Sequence, residues 1–207
     1  MHGLVNRSLQ CFLRDTYGGE LWDAVAWGAG IGPDGFEAMR EYDDALTDAV
    51  LAAAAERLAK PPEALLEDLG AYLVTLEPLR RLLRFGGVNY PDFLQSLDDL
   101  QGRAQLALPE LGLPALRLTG DAGGHFALHL PEEPDGSAMA RLAPPVLAGI
   151  LRAMADDYGA LAVIALAERQ GQGARPGAPA IRIDLLQARY AKGRHFHLGL
   201  PSAGGAR

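Results

Sequence analysis

The sequence predicts an α+β fold, in which a helical first half is followed by strands arranged around one helix. Apolar residues recur at helical spacing from Leu4 to Leu106. Pro109 and Pro114 then mark a change, after which short segments have the residue types and alternation of strands. The chain has 207 residues, 49% of them hydrophobic, so it can form one substantial core or two small lobes that share one. We find no internal repeat, and this order of elements is typical of an α+β layout.

Five helices are predicted in the first half, and glycines or prolines separate them. The first carries apolar residues on one face and stops at Gly18-Gly19, which can cap a helix C-terminus. Pro61-Pro62 ends the third helix and begins the fourth. The alanine run in the third suits a close contact between helices. The five segments cover residues 4–19, 20–30, 44–60, 62–76 and 76–87.

The next helix, predicted over residues 93–106 after a cap near Asn89, has one unusual residue. Its apolar face consists of Phe93, Leu94, Leu97, Leu100 and Ala104. Gln101 lies on the same face, four residues after Leu97. Because an unpaired buried amide costs about 1–3 kcal/mol, we expect the Gln101 side chain to bond a ligand or a nearby backbone group.

The second half is predicted to form strands and one more helix. A glycine turn joins the first two strands, and a polar loop over residues 132–140 follows them. Pro144-Pro145 opens the helix. The segment after it is predicted to be a buried strand or a short helix, and its residue types favour a strand. The strands cover residues 114–120, 123–130, 159–169, 180–187 and 193–200, the helix covers 144–159, and a mobile tail covers 201–207.

Composition excludes several classes of function. A net charge of -7 and a pI of about 5.2 provide no electrostatic footprint for nucleic acid or an anionic membrane. The single cysteine, Cys11, allows no internal disulfide and no thiolate metal site, which fits a reducing, cytoplasmic setting. There is no signal peptide pattern and no apolar run of membrane-spanning length, so we expect no membrane insertion.

No catalytic constellation can be assembled from the residues. His195 and His197 form an H-x-H pair on a predicted strand, but no third metal ligand lies nearby in sequence. His125 and His129 lie on one face of another strand, and a solvated sheet face explains them. The glycine-rich pieces lack the strand–loop–helix context of a phosphate site. We therefore expect a protein that is not an enzyme and holds no metal through a conventional site.

Three segments carry a resemblance to a known family. They are "MHGLVNRSLQCFLRDTYGGELWDAV" at the start, "VNYPDFLQSLDDLQGRAQLALPELGLPALRL" in the centre and "ALHLPEEPDGSAMARLAPPVLAGILRAMADDYG" after it. Together they resemble the heme–nitric oxide/oxygen binding (H-NOX) family, which includes the sensor domain of soluble guanylate cyclase. The resemblance implies a single domain over residues 1–207. A helical N-terminal lobe, residues 1–60, would pack on a C-terminal lobe with an antiparallel sheet and helices, residues 61–200.

The resemblance also implies a site between the lobes, where family members hold heme. The position matching the family's iron-ligating histidine is Gln101. The family's Tyr-x-Ser-x-Arg motif, which binds the heme propionates, is replaced by Leu130, Glu132 and Pro134. Pro114 matches a proline that presses on the heme plane. The implied lining residues are Val5, Leu9, Leu97, Leu100, Gln101, Pro114 and Leu130.

Three hypotheses follow from the resemblance. The first is a sensory domain with a degenerate heme site, which binds an apolar or tetrapyrrole ligand without the usual histidine. The second is a true heme-based gas sensor that uses a substitute ligand, His129 or His125. The third is a module without a small ligand, which acts only through protein contacts. In all three, the partner implied by analogy is a separate histidine kinase or cyclase.

Overall fold

The computed structural model describes residues 1–32, 34–107, 113–131, 138–167 and 180–194. Over these residues it confirms the α+β architecture. The helices are α1 Gly3–Tyr17, α2 Gly19–Gly28, α3 Asp44–Leu58, α4 Pro62–Thr75, α5 Glu77–Arg84, α6 Tyr90–Gln95, α7 Leu100–Ala107 and α8 Ala138–Tyr158, with a 3-10 turn at Ser96–Asp99. The strands are β1 Arg117–Gly120, β2 His125–His129, β3 Leu161–Leu166 and β4 Ile181–Gln187.

The first three helices and the first half of α4 enclose one apolar core, which we call the N-terminal core. The helical spacing of the apolar residues in α1 places Leu9, Phe12 and Leu13 inside it. Gly18 ends α1 with a φ of 95°, as the glycine pair predicted, and its N–H donates to the carbonyl of Arg14. The other main members are Trp22, Val25, Phe36, Val50, Leu51, Ala54, Leu65, Leu66 and Leu69.

The sheet and the helices packed on its inner face enclose a second core, the C-terminal core. All pairings are antiparallel, and the strand order is β1-β2-β4-β3. Since side chains alternate along a strand, Leu128, Ile181 and Ile183 face inward while their neighbours face away from the core. The main members of this core are Tyr90, Phe93, Leu94, Leu97, Leu100, Leu116, Leu128, Leu151, Met154, Ile164, Ile181 and Ile183.

Helices α4 and α8 cross closely and contribute to both cores. Leu69 of α4 and Leu142 of α8 lie in the N-terminal core, whereas Val74 of α4 and Leu151 of α8 lie in the C-terminal core. A Cβ at Gly70 would overlap the backbone carbonyl of Val146, and a Cβ at Gly149 would overlap that of Glu67. The two helix backbones are therefore in contact, and this crossing joins the two halves of the molecule.

The prediction that Pro144-Pro145 opens α8 is wrong, because the helix begins at Ala138. The prolines remove two intrahelical hydrogen bonds, which normally ends a helix. The turns before the prolines contact α3: the Ala138 N–H donates to Asp44, and Arg141 donates to both carboxylate oxygens of Asp48 at 2.8 and 2.9 Å. The predicted polar loop therefore ends before Ala138, and residues 132–137 lie outside the described residues.

The prediction of one continuous helix over residues 93–106 is also wrong. The structure has α6, a 3-10 turn and α7 in succession. Two side chains account for the break at Ser96: its hydroxyl donates to the carbonyl of Phe93, and Arg103 donates to the Ser96 carbonyl at 2.8 Å. The predicted cap is confirmed, since Asn89 accepts the N–H of Asp92 at 2.9 Å.

The third strand is not buried as predicted but lies at the sheet edge. Only Ile164 of β3 is fully buried, while Leu161, Val163 and Ala165 are exposed on the outer face. An apolar run alone does not distinguish a buried strand from such an edge strand. The predicted strand over 193–200 and the tail over 201–207 lie almost wholly outside the described residues. Among the helices that the structure describes, none is both long and apolar enough to cross a membrane.

Candidate functional site

Gln101 lies near the start of α7, at the border of the C-terminal core. Leu97 and Leu100, which precede it, are buried as the apolar spacing predicted, while Gln101 itself is half-buried. Its side-chain Nε2 donates to the backbone carbonyl of Leu113 at 3.0 Å. The expected partner for the amide is therefore a backbone group, and the carbonyl oxygen of the amide remains the only lone-pair donor of this side chain.

A second side chain of the same helical run reaches the same segment. Asp98 precedes Gln101 by three residues, and its Oδ1 accepts the backbone N–H of Leu118 at 2.6 Å. Leu118 belongs to β1, an edge strand, so Asp98 caps a donor that the sheet leaves unpaired. Between the two bonded residues, Pro114 is half-buried and Leu116 is buried in the C-terminal core.

The other predicted lining residues lie in two places. Leu130 is half-buried and packs against the C-terminal core, which also contains Leu97 and Leu100. Leu9 is buried in the N-terminal core, and Val5 is half-buried one turn before it on α1. The structure thus assigns Leu97, Leu100 and Leu130 to one core and Leu9 to the other, on the two sides of the α4–α8 crossing.

His125 and His129 lie on the outer face of the sheet. They alternate along β2 with Phe126 and Leu128, which pack into the C-terminal core, so both imidazoles point away from it. The His129 Nε2 is 3.0 Å from the hydroxyl of Thr119. This placement separates His129 from the core side of the sheet, where Leu97 and Leu100 lie, and does not favour it as a substitute ligand there.

His125 is paired with an acid across the sheet. Its Nδ1 is 2.9 Å from Oδ1 of Asp184 on β4, its register partner. The hydrogen bond to Asp184, together with the nearby charge of Asp121, raises the pKa of His125 above its ordinary value. These groups and Arg182 line a surface depression of about 370 Å³ on the outer face.

Two buried amides on α1 were not identified from the sequence. Asn6 accepts a hydrogen bond from the Thr47 hydroxyl at 2.7 Å, and Gln10 accepts the N–H of Phe36 at 3.0 Å. Both amides are essentially inaccessible, at 0% and 1% exposure. The signal that singled out Gln101, an amide on the apolar face of a helix, also applies to Asn6 and Gln10 and would have found them.

A buried ion pair joins α5 to the end of α8. Asp157 is 2% exposed, and its Oδ1 accepts from Arg80 at 2.8 and 2.9 Å. Arg84 lies 3.5 Å from the other carboxylate oxygen and stacks over the Tyr158 ring at 4.0 Å. The partners are 77 residues apart in sequence, so periodicity carried no signal for this pair. It fixes the helix that precedes the run containing Gln101.

The helical run that contains Gln101 offers no imidazole to a heme iron. Residues 90–107 contain no histidine, and the amide nitrogen of Gln101 is engaged with Leu113. A carboxamide oxygen is a far weaker donor to heme iron than a neutral imidazole. The third histidine within the described residues is His2, and its Nδ1 accepts the N–H of Leu4 at 3.2 Å. Across the described ranges, no group of three His, Cys, Asp or Glu side chains is arranged to hold a metal ion.

Comparison with known proteins gives one consistent result. Residues 2–131, more than half of the chain, match the model of a family described as Haem-NO-binding. The soluble guanylate cyclase gcy-31 of Caenorhabditis elegans is 23% identical over 133 residues, which is 62% of this chain and 19% of that protein. The chain therefore spans about a fifth of the length of this curated relative.

Solved structures agree with the family match. An H-NOX protein from S. oneidensis in the Fe(II)NO ligation state has a TM-score of 0.70 and 17% identity, over 89% of this chain and 99% of that one. A mutant of T. tengcongensis H-NOX has a TM-score of 0.71 and 16% identity, over 91% of this chain and 99% of that one. At these identities the likeness establishes the fold, and the fold of this chain is that of H-NOX domains.

Proposed function

The chain belongs to the haem-NO-binding (H-NOX) family, and from that premise we propose that it is a non-catalytic sensory domain with a degenerate heme site. In this proposal it binds an apolar or tetrapyrrole ligand between its lobes without an iron–histidine bond. The observation that carries the proposal is the state of Gln101. By resemblance it stands where family members place their ligating histidine, and its amide nitrogen donates to the Leu113 carbonyl instead.

The chemistry of the surrounding positions supports the same conclusion. Heme propionates are held by charge-assisted hydrogen bonds, which are stronger than those between neutral groups. By resemblance, the three positions that would supply them are Leu130, Glu132 and Pro134. None of these side chains can donate to a carboxylate at neutral pH, and Glu132 would repel one. A ligand without two carboxylates, or one bound chiefly by its apolar surface, suits these residues better.

The proposed ligand lies between the two cores. Val5 and Leu9 would contact it from α1, and Leu97, Leu100, Gln101, Pro114 and Leu130 from the opposite lobe. All except Gln101 are apolar, which is typical of sites that bind ligands by burial of surface with few polar contacts. The Gln101 carbonyl oxygen is half-buried and could accept one hydrogen bond from a ligand without giving up the bond to Leu113.

A signalling partner follows from the family by analogy. The curated relative is a soluble guanylate cyclase, and this chain covers 19% of it. We propose that the domain acts on a histidine kinase or cyclase.

The proposal is tested by titrating the purified protein with hemin and with metal-free protoporphyrin IX, followed by absorption and fluorescence. If no iron–protein bond forms, the two porphyrins bind with similar affinity. Gln101→His should bind hemin about tenfold more tightly or better, about 1.4 kcal/mol or more, with protoporphyrin affinity unchanged. Gln105→His is the matched control, because Gln105 is exposed on the same helix.

Two outcomes would contradict the proposal in different ways. A wild-type hemin spectrum with the Soret band of an iron–histidine complex, lost in His129→Ala, would establish the heme-based sensor with a substitute ligand. No binding of either porphyrin, or of an apolar fluorescent probe without carboxylates such as Nile red, to the wild type or to Gln101→His would favour the module without a small ligand. The bond from the Gln101 amide nitrogen to the Leu113 carbonyl, made within the protein itself, is the observation that favours this second candidate.

A further inference from the structure

Asp98, in the 3-10 turn, and Gln101, in α7, each form a hydrogen bond to one end of the segment 113–118. Asp98 and Gln101 are three residues apart, a spacing that places side chains on one side of a helix. Asp98 accepts the N–H of Leu118, and Gln101 donates to the carbonyl of Leu113. The gripped segment, residues 113–118, contains Pro114 and the buried Leu116. The two bonds therefore fix its position relative to α7 at two points.

We propose that Asp98 and Gln101 form a clip that holds α7 against residues 113–118 in the ligand-free domain. The inference rests on the proposed function, because it concerns the two elements that would flank the ligand. Both bonds are made within the protein itself, so they hold the helix before any ligand arrives.

At each end of the clip, the side chain has the donor or acceptor role that its backbone partner requires. An ionised carboxylate can only accept, which matches the N–H of Leu118, and an amide nitrogen can only donate, which matches the Leu113 carbonyl. Asp98 also occupies an edge of the sheet that would otherwise present an unpaired donor. The bond at Asp98 is charge-assisted and short, at 2.6 Å, whereas that at Gln101 is between neutral groups at 3.0 Å. Asp98 is exposed, so solvent weakens its bond, whereas the bond of Gln101 is half-buried.

The clip predicts how ligand binding would be transmitted. A ligand that displaces α7 must loosen one or both bonds, so exchange of the Leu118 amide reports the movement directly. Two other hydrogen bonds join residues within this helical run, because Arg103 donates to the Ser96 carbonyl and hydroxyl. Those bonds lie within the run and are expected to remain when the clip opens.

The test is amide hydrogen exchange by NMR on the ligand-free protein. Asp98→Ala should speed exchange of the Leu118 amide by about tenfold, since it removes one charge-assisted hydrogen bond. Asp98→Asn, whose side-chain oxygen still accepts, should retain most of the protection. Gln101→Glu cannot donate at neutral pH and should speed exchange across residues 113–118, whereas Gln105→Ala and Asp99→Ala, at exposed neighbouring positions, should not.

The proposal is overturned if Leu118 exchanges at the wild-type rate in Asp98→Ala, or if Gln101→Glu leaves residues 113–118 unchanged. Far-UV circular dichroism and the exchange of Phe93, deep in the C-terminal core, check that each variant is folded. No ligand is present in this experiment. A failed porphyrin titration therefore leaves its result intact, and a failed exchange test leaves the porphyrin result intact.

Discussion

Two amides on apolar helix faces, Gln10 on α1 and Gln101 on α7, have different surroundings. Gln10 is 1% exposed, accepts the N–H of Phe36, and packs so closely on Gly35 that no Cβ would fit there. Gln101 is half-buried and bonds a backbone carbonyl at the border of its core. The same sequence signal, an amide on an apolar helix face, thus has two outcomes. Gln10 anchors a loop inside the N-terminal core, whereas Gln101 lies at the candidate site.

We expect the largest difference in the free energy of unfolding between Gln10→Ala and Gln101→Ala. Gln10→Ala should lower the free energy of unfolding by about 2–4 kcal/mol, because it leaves a cavity and an unpaired buried N–H on Phe36. Gln101→Ala should lower it by about 1 kcal/mol, the typical worth of one neutral hydrogen bond at a partly exposed site. Urea unfolding followed by circular dichroism measures both.

Equal losses in the two variants would contradict the comparison. If Gln101→Ala were as damaging as Gln10→Ala, Gln101 would be a core residue in the ordinary sense and its role in a binding site would lose its physical basis. Gln105→Ala, on the exposed side of α7, provides the baseline for a change of this type.

A second pair of matched positions sharpens the contrast between interior and surface. The hydroxyl of Thr47 donates to Asn6 inside the N-terminal core, and that of Thr119 bonds His129 on the outer sheet face. Thr47→Val keeps the shape but leaves the Asn6 oxygen unpaired, which should cost about 1–2 kcal/mol. Thr119→Val, in an exposed strand where β-branched residues are favoured, should change stability by less than about 0.5 kcal/mol. A loss at Thr119 as large as that at Thr47 would show that the outer face is covered in solution.

The residues also show how far the sequence alone could predict this structure. Helices α1 to α5 follow from apolar spacing and from the glycines and prolines between them, because these signals are local. The break between α6 and α7 could not be predicted, since it depends on Arg103 reaching back to the Ser96 carbonyl. The early start of α8 is accompanied by the pairing of Arg141 with Asp48, 93 residues away, a contact that local spacing does not reveal.

The candidate site was predicted in part for the same reason. The position of Gln101 on the apolar face, and its need for a partner, followed from local spacing. That the partner is the Leu113 carbonyl, and that Asp98 bonds the same segment, depends on how the chain returns after α7. Buried pairs such as Arg80 with Asp157 leave no local pattern, because each residue alone resembles any charged residue on a helix.

The smallest effect is expected where pairing is most exposed, at His125 and Asp184. The His125 side chain is 67% exposed, so solvent and salt weaken its attraction to the carboxylate. Asp184 raises the pKa of His125 in the folded protein. The pair therefore stabilises the folded state fully at pH values below the pKa of His125 in the unfolded chain, about 6.5. That contribution disappears as the pH rises through the higher folded pKa.

NMR titration of the imidazole should give a pKa above 6.5 in the wild type and a lower one in Asp184→Asn. The difference in stability between these two proteins should shrink as the pH rises from below 6.5 through the raised pKa of His125. If Asp184→Asn left the His125 pKa unchanged, the contact would not persist in solution, and the outer sheet face would contribute nothing through this pair.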